Sequence, residues 1–279
     1  MVAASGIDIP SLTASQFATV YNLFSLVIAS MLFTAIYLLF SRSRVAPRYR
    51  NALVVSAMVC GIAAYHYFRI FNNFNESYPP GADVQAIHAL SNIQFNEAYR
   101  YVDWFLTVPL LLVETIAVMA LGKTAQRSLL QKLVPASALM IALGYPGEIA
   151  SGTGERLIWG ILSTIPFIYI LYVLFVELSK SLDRQPAEVI KTIKFLRLSL
   201  VILWCVYPIA YLFPIIGGDF FGGSSGFVLR QAGYSVADIL AKAAYGLVIL
   251  RIARMKSEIE DPTYNDDHET VAAKSRVSV

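Results

Sequence analysis

Residues 99–114 read YRYVDWFLTVPLLLVE, and the reading of this stretch decides the fold. Arg100, Asp103 and Glu114 interrupt a run that is otherwise apolar or aromatic. With its flanks, the run is long enough to cross a bilayer, which takes about 20 residues. A carboxylate near the bilayer centre costs at least ~2.5–3.5 kcal/mol. Two carboxylates in one such run therefore call for a compensating structure or a function.

The rest of the chain has the same character. Of its 279 residues, 57% are hydrophobic and only 15% charged, with a mean hydropathy of +0.59. A soluble domain carries about 25% charge, so this composition specifies a polytopic membrane protein. The net charge of +3 is too small to point to a nucleic-acid partner. Cys60 and Cys205 lie far apart in apolar runs; they fit neither a disulfide framework nor a zinc spacing and read as small buried hydrophobes. The N-terminus lacks the basic region of a signal peptide, and the apolar run behind it is too long for one. The first helix is therefore expected to be retained.

Apolar runs long enough to span fall near 14–41, 50–72, 94–121, 126–147, 156–181, 189–215 and 228–255. This gives an all-α membrane protein, a seven-helix bundle over 14–257, between an extracellular segment at 1–13 and a disordered tail at 258–279. The connections orient it. Arg42, Arg44, Arg48 and Arg50 follow the first span, Lys123, Arg127 and Lys132 the third, and Lys180, Arg184, Lys191, Lys194 and Arg197 the fifth. Arg251, Arg254 and Lys256 end the seventh. The alternate connections carry Glu76, Asp83, Glu148, Glu155 and Asp219 instead. The positive-inside rule then places the N-terminus outside and the C-terminus in the cytoplasm. Turn chemistry in NESYPPGAD leaves room for a hairpin in the second connection, 73–93.

Asp103 and Glu114 are 11 residues apart, three helical turns with an offset of about 20°. They share one face, separated by about 16 Å along the axis, with Asp103 toward the outside. Thr107 lies one turn in from Asp103 on the same stripe, and its hydroxyl can donate to a carboxylate. In the last span, VADILAKAAYG sets Asp238 and Lys242 four residues apart, as neighbours on one face. Lys242 falls near mid-membrane, where a lysine is neutral, ion-paired or chemically modified. The plainer reading is two structural ion pairs, Asp238–Lys242 and Arg100–Asp103. It leaves Glu114 without a partner in its own helical stretch. Acids on both sides of Lys242 make a plausible proton path.

RYVDWFLTVPLLLVE, together with WCVYPIAY in the sixth span and DILAK in the seventh, closely resembles microbial rhodopsins, over roughly residues 15–256. Within that family the chain looks like the bacterial proton pumps of the proteorhodopsin and xanthorhodopsin branch. The resemblance implies all-trans retinal held as a Schiff base on Lys242. It further implies Asp103 as primary counterion and proton acceptor, Thr107 beside it, Asp238 as second counterion, and Glu114 as cytoplasmic donor. Arg100 would gate release outward, and His66 would pair with Asp103 and tune it. Trp104, Leu111, Met140, Gly144, Ser163, Trp204, Tyr207, Pro208 and Tyr211 would line the polyene, with Leu111 at the colour-tuning place. Gly160 stands where other branches often carry Trp, so a window toward lipid, and with it a carotenoid antenna, could open there; a small residue for helix packing is the alternative.

The resulting expectation is a light-driven outward proton pump, not an enzyme. It would be multi-pass in the inner (plasma) membrane of a bacterium, with the lipid bilayer, protons and further copies of itself as partners. A sensory photoreceptor of the same fold, signalling to a partner protein, is the alternative. A seven-helix receptor or transporter without retinal is a second. LGKTAQ at 121–126 lacks the earlier glycine of a phosphate loop, and His88 and His268 have no metal-ligand spacing, so no metal is expected.

Overall fold

The computed structural model describes residues 10–79, 87–88 and 95–264. Seven long helical runs dominate the described residues. The first four are Ala14–Ser41, Arg50–Ser77, Tyr99–Met119 and Lys123–Ile149. The fifth, Thr153–Tyr172, passes into a π-helical stretch at Val173–Glu177, and the sixth is Ala187–Tyr211. The seventh begins as Ser224–Asp238, widens into a π-helical stretch at Ile239–Ala244, and continues as Tyr245–Glu260. Six helices meet the length and apolarity needed to cross a membrane. The seventh is interrupted by its π stretch and carries the charges of the site.

Local chemistry explains the boundaries. Thr13 and Gln16 form a reciprocal capping box that starts the first helix, with bonds of 3.0 and 3.2 Å. Pro47 opens the turn before the second helix. The second helix runs to Ser77, beyond its apolar stretch, because the polar Asn72–Ser77 turn continues the helix outside the apolar zone. There Asn73 accepts from the Asn96 backbone at 2.7 Å. The third helix ends where Ala120 turns left-handed, with φ 49° and ψ 48°. Prolines at 109, 135, 146, 166 and 208 lie inside helices, where neighbouring helices in a bundle can compensate for the lost backbone donor.

Leu12–Thr13 pairs antiparallel with Ile87–His88, so the ordered element of the second connection joins the N-terminal segment. Tyr78 fastens the same segment by donating to the Pro10 carbonyl at 3.0 Å. Most of the second connection, with Asp83, and the tail beyond Tyr264, with His268, lie outside the described residues.

The bundle is apolar on its outer face and holds its buried charges within a largely apolar core. Phe40 is 80% exposed and Phe33 68%, whereas Asp238 and Glu114 are fully buried. That inversion suits a lipid solvent, which has nothing to offer a charge. The ionisable groups are consequently gathered around the facing sides of the third and seventh helices.

Candidate functional site

On the third helix, Arg100, Asp103, Trp104, Thr107, Leu111 and Glu114 recur at three- and four-residue steps, and all are buried. The helical repeat alone places them on one inward stripe. The seventh helix answers with Asp238 and Lys242. Lys242 lies inside the π-helical stretch, a local widening common at functional sites. Its ammonium bonds to Asp103 Oδ2 and lies 3.2 Å from Asp238 Oδ1. Asp238 is held on both oxygens, by the Tyr67 hydroxyl at 2.7 Å and the Tyr207 hydroxyl at 2.6 Å. One cation thus sits between two carboxylates, and two tyrosines fix the second.

Several expected contacts take a different form. Thr107 donates to the backbone carbonyl of Asp103 at 2.9 Å rather than to its carboxylate. The carboxylate's Oδ1 has no hydrogen-bond partner among the described residues. Arg100 is joined to Asp103 by no hydrogen bond or ion pair among the described residues. Its Nη2 donates to Gln231 at 2.7 Å, and its guanidinium lies 5.1 Å from the Tyr234 ring centre. His66 is buried on the second helix with its ring edge-on to Tyr65. No hydrogen bond or ion pair among the described residues joins it to Asp103, and its Nδ1 is unpartnered.

Glu114 is the opposite of Asp103 in its surroundings. Neither oxygen has a hydrogen-bond partner among the described residues. Ser56 is its near polar neighbour, but that hydroxyl bonds to Ala52 at 3.1 Å. Beside Glu114, Thr115 and Tyr245 share a 2.5 Å bond.

Lys242 also lines a pocket between the helices. Trp104, Leu111, Met140, Gly144, Gly160, Ser163, Trp204, Tyr207, Pro208 and Tyr211 line it together with Lys242. Tyr101, Val108, Ile141, Thr164, Phe167 and Tyr234 complete the walls. Trp104 stands edge-on to Tyr207 and Tyr234, at 5.0 and 5.5 Å between centroids. Two glycines make room for rings: a Cβ on Gly144 would stand 3.0 Å from Tyr101, and one on Gly160 3.0 Å from Tyr211. A pocket walled largely by aromatic and aliphatic groups, with one amine in its wall, suits an apolar molecule joined to that amine.

Sequence reasoning missed a second buried cluster. Glu97 takes bonds from Arg230 and Gln231, and Gln231 passes the chain on to Arg100. Glu97, Arg230 and Gln231 are all buried. The signal was available on the seventh helix, because Gln231 lies two turns before Asp238 on the same face. Glu97 lies near the start of the third apolar run, 94–121, and its partners come from the seventh helix. Of the external acids, Glu148 is buried, and its backbone carbonyl accepts from Arg156 at 2.6 Å; Glu155 and Asp219 are exposed.

Comparison with known proteins agrees with this geometry. Residues 18–255 match the family described as bacteriorhodopsin-like protein. The green-light absorbing proteorhodopsin of Gamma-proteobacterium EBAC31A08 is 30% identical over 237 residues, 84% of this chain and 86% of that protein. The crystal structure of thermophilic rhodopsin superposes with a TM-score of 0.86 at 43% identity, covering 91% of this chain and 99% of that one. Xanthorhodopsin, described as a light-driven ion pump with dual chromophore, gives 0.84 at 43% identity with the same coverage. The chain therefore belongs to the microbial rhodopsins, multi-span membrane proteins whose members are light-driven ion pumps rather than enzymes, and it stands close to the proteorhodopsin- and xanthorhodopsin-like pumps.

Proposed function

We propose that this protein is a light-driven outward proton pump. The observation that carries the reading is the Lys242 ammonium between Asp103 and Asp238, with Glu114 isolated in an apolar setting farther along the same stripe. The loop charges support seven spans with the C-terminus in the cytoplasm, in the inner membrane of a bacterium. That orientation puts Asp103 on the outer side and Glu114 on the cytoplasmic side.

The pocket fits retinal: Lys242 would hold it, and the rings of Trp104, Trp204, Tyr207 and Tyr211 would clasp the chain. When bound, retinal supplies a light-driven change of shape at the Lys242 nitrogen. Asp103, bonded to that nitrogen, is positioned to take its proton. Asp238 remains as the second negative charge, its oxygens occupied by Tyr67 and Tyr207. Glu114, buried with neither oxygen hydrogen-bonded, is a carboxyl that can stay protonated until the nitrogen needs a proton. Arg100, held toward Gln231 and Glu97, directs the exit outward. His66 tunes Asp103 from a buried place within electrostatic range of Lys242. A carotenoid beside Gly160 and assembly of several copies complete the reading.

Illuminated cells supplied with retinal should acidify an unbuffered medium, and a protonophore should abolish the signal. Alkalinisation, or no change, overturns the proposal. A photocycle lasting seconds with no proton flux would favour the sensory alternative.

A further inference from the structure

The last turn of the seventh helix carries a buried lysine outside the site described so far. Lys256 is 2% exposed. Among the described residues it has no carboxylate partner, yet all three of its protons have acceptors. They go to the Val118 carbonyl at 3.0 Å, the Met119 carbonyl at 2.9 Å and Gln185 Oε1 at 2.8 Å. An ammonium has three donors, so this one is fully satisfied.

The acceptors are specific in kind. Val118 and Met119 are the last two residues of the third helix, whose final carbonyls have no partner inside the helix. A cation there also meets the negative end of the helix dipole. Gln185 stands just before the sixth helix, and its amide donates to the same Met119 carbonyl at 3.2 Å. Lys256 and Gln185 together tie the end of the third helix, the connection between fifth and sixth helices, and the seventh helix. The neighbouring Ser257 and Glu260 anchor the same turn to the first connection, through the Ala46 backbone at 2.8 Å and Arg48 at 2.5 Å.

This clamp lies directly along the stripe that leads to the donor. Glu114 is one helical turn inside Val118, on the same side of the third helix. A permanent seal needs only an apolar side chain, which avoids the desolvation cost of a buried charge. A polar clamp can exchange its bonds for water, and so can open.

We propose that Lys256, clasped by Gln185 and the end of the third helix, is the cytoplasmic gate of Glu114. Closed, it keeps bulk water and its protons from the donor; released, it admits the proton that recharges Glu114. This inference rests on the pump reading, since it assigns the entrance of that same path.

The test uses the full-length pigment in vesicles, with a pH-sensitive dye and flash excitation. Two rates are read, reprotonation of the Lys242 nitrogen and proton uptake from the cytoplasmic side. Gln185→Ala removes one arm of the clamp, and Lys256→Ala removes its centre. Uptake should accelerate by at least about fivefold in both, the change that one net hydrogen bond of a closed state is worth. Nitrogen reprotonation should stay at the parent rate, which a merely structural defect would not spare. Uptake that is unchanged or slowed in Gln185→Ala overturns the gate, and that variant decides alone if Lys256→Ala yields no pigment. Loss of net pumping in the parent would instead overturn the pump reading.

Discussion

The two sides of Lys242 are built on opposite principles. On the Asp103 side, ionisable and polar groups are bonded into two clusters. One joins Lys242 to Asp103 and Asp238, with Tyr67 and Tyr207 on the latter; the other joins Arg100, Gln231, Glu97 and Arg230. On the other side, Glu114 has no hydrogen-bond partner on either oxygen among the described residues, and Lys256 bonds to the end of its helix one turn on. A network of bonded charges lets a proton or its countercharge shift by small rearrangements. A lone carboxyl in a low-dielectric setting instead holds its proton. In the proposed pump this difference would supply the direction, with one side accepting charge and the other holding a neutral acid.

The strongest way to break the comparison removes its centre. Lys242→Ala should form no covalent pigment with retinal. The check is whether any colour survives denaturation of the purified protein. Next comes the accepting side. Asp103→Asn should stop net proton transport and move the absorption to longer wavelength, because a negative charge beside the Lys242 nitrogen is lost. Vesicle pH measurements and one spectrum test both outcomes. On the donor side, Glu114→Gln should slow reprotonation of the nitrogen by about 10²-fold, the usual worth of a positioned acid. It should leave the colour nearly unchanged, since Glu114 has no bond to the pocket. An unaltered cycle would remove Glu114 from the path.

The same substitution made in the network sharpens the contrast. Glu97→Gln leaves Arg230 buried beside a neutral amide and should cost about 1–3 kcal/mol of stability, read from the thermal denaturation of the pigment. Glu114→Gln replaces one unbonded polar group by another and should cost little. If both variants melt alike, the bonded and isolated halves do not differ as their geometry requires.

How much of this could be read in advance follows the reach of each interaction. The helices, the shared face of Asp103 and Glu114, and the Asp238–Lys242 step depend on residues within one helix. Apolar periodicity and a 3.6-residue repeat are enough to expose them. Lys242, the nine residues expected along the polyene and Gly160 all line one pocket, a grouping across several helices that periodicity within one helix does not reveal. What escaped was pairing between helices. Arg100 has both an acid three residues away and a glutamine on the seventh helix, and only the packed bundle chooses Gln231. Glu97 escaped because its partners, Arg230 and Gln231, are more than 130 residues distant. Pairing of Leu12–Thr13 with Ile87–His88 was hidden for the same reason.

Gly160 is the place where the structure adds a second cause to a sequence expectation, and it carries the smallest effect. The open position was read as a window for a carotenoid. In the bundle the missing side chain also serves Tyr211, whose ring would stand 3.0 Å from a Cβ at Gly160. That ring has little freedom to retreat. Its hydroxyl donates to the Arg156 carbonyl at 2.8 Å and lies over Gly147, where a Cβ would fall 2.1 Å from the oxygen. The two causes respond differently to size. Gly160→Ala should cost about 1 kcal/mol through crowding of Tyr211, while leaving too little bulk to wall off a carotenoid. Gly160→Trp should abolish any excitation passed from an added hydroxylated carotenoid, with direct excitation of retinal preserved. An excitation spectrum of pumping, recorded with and without that carotenoid, separates them. Sensitisation that survives in Trp would assign the glycine to Tyr211 alone.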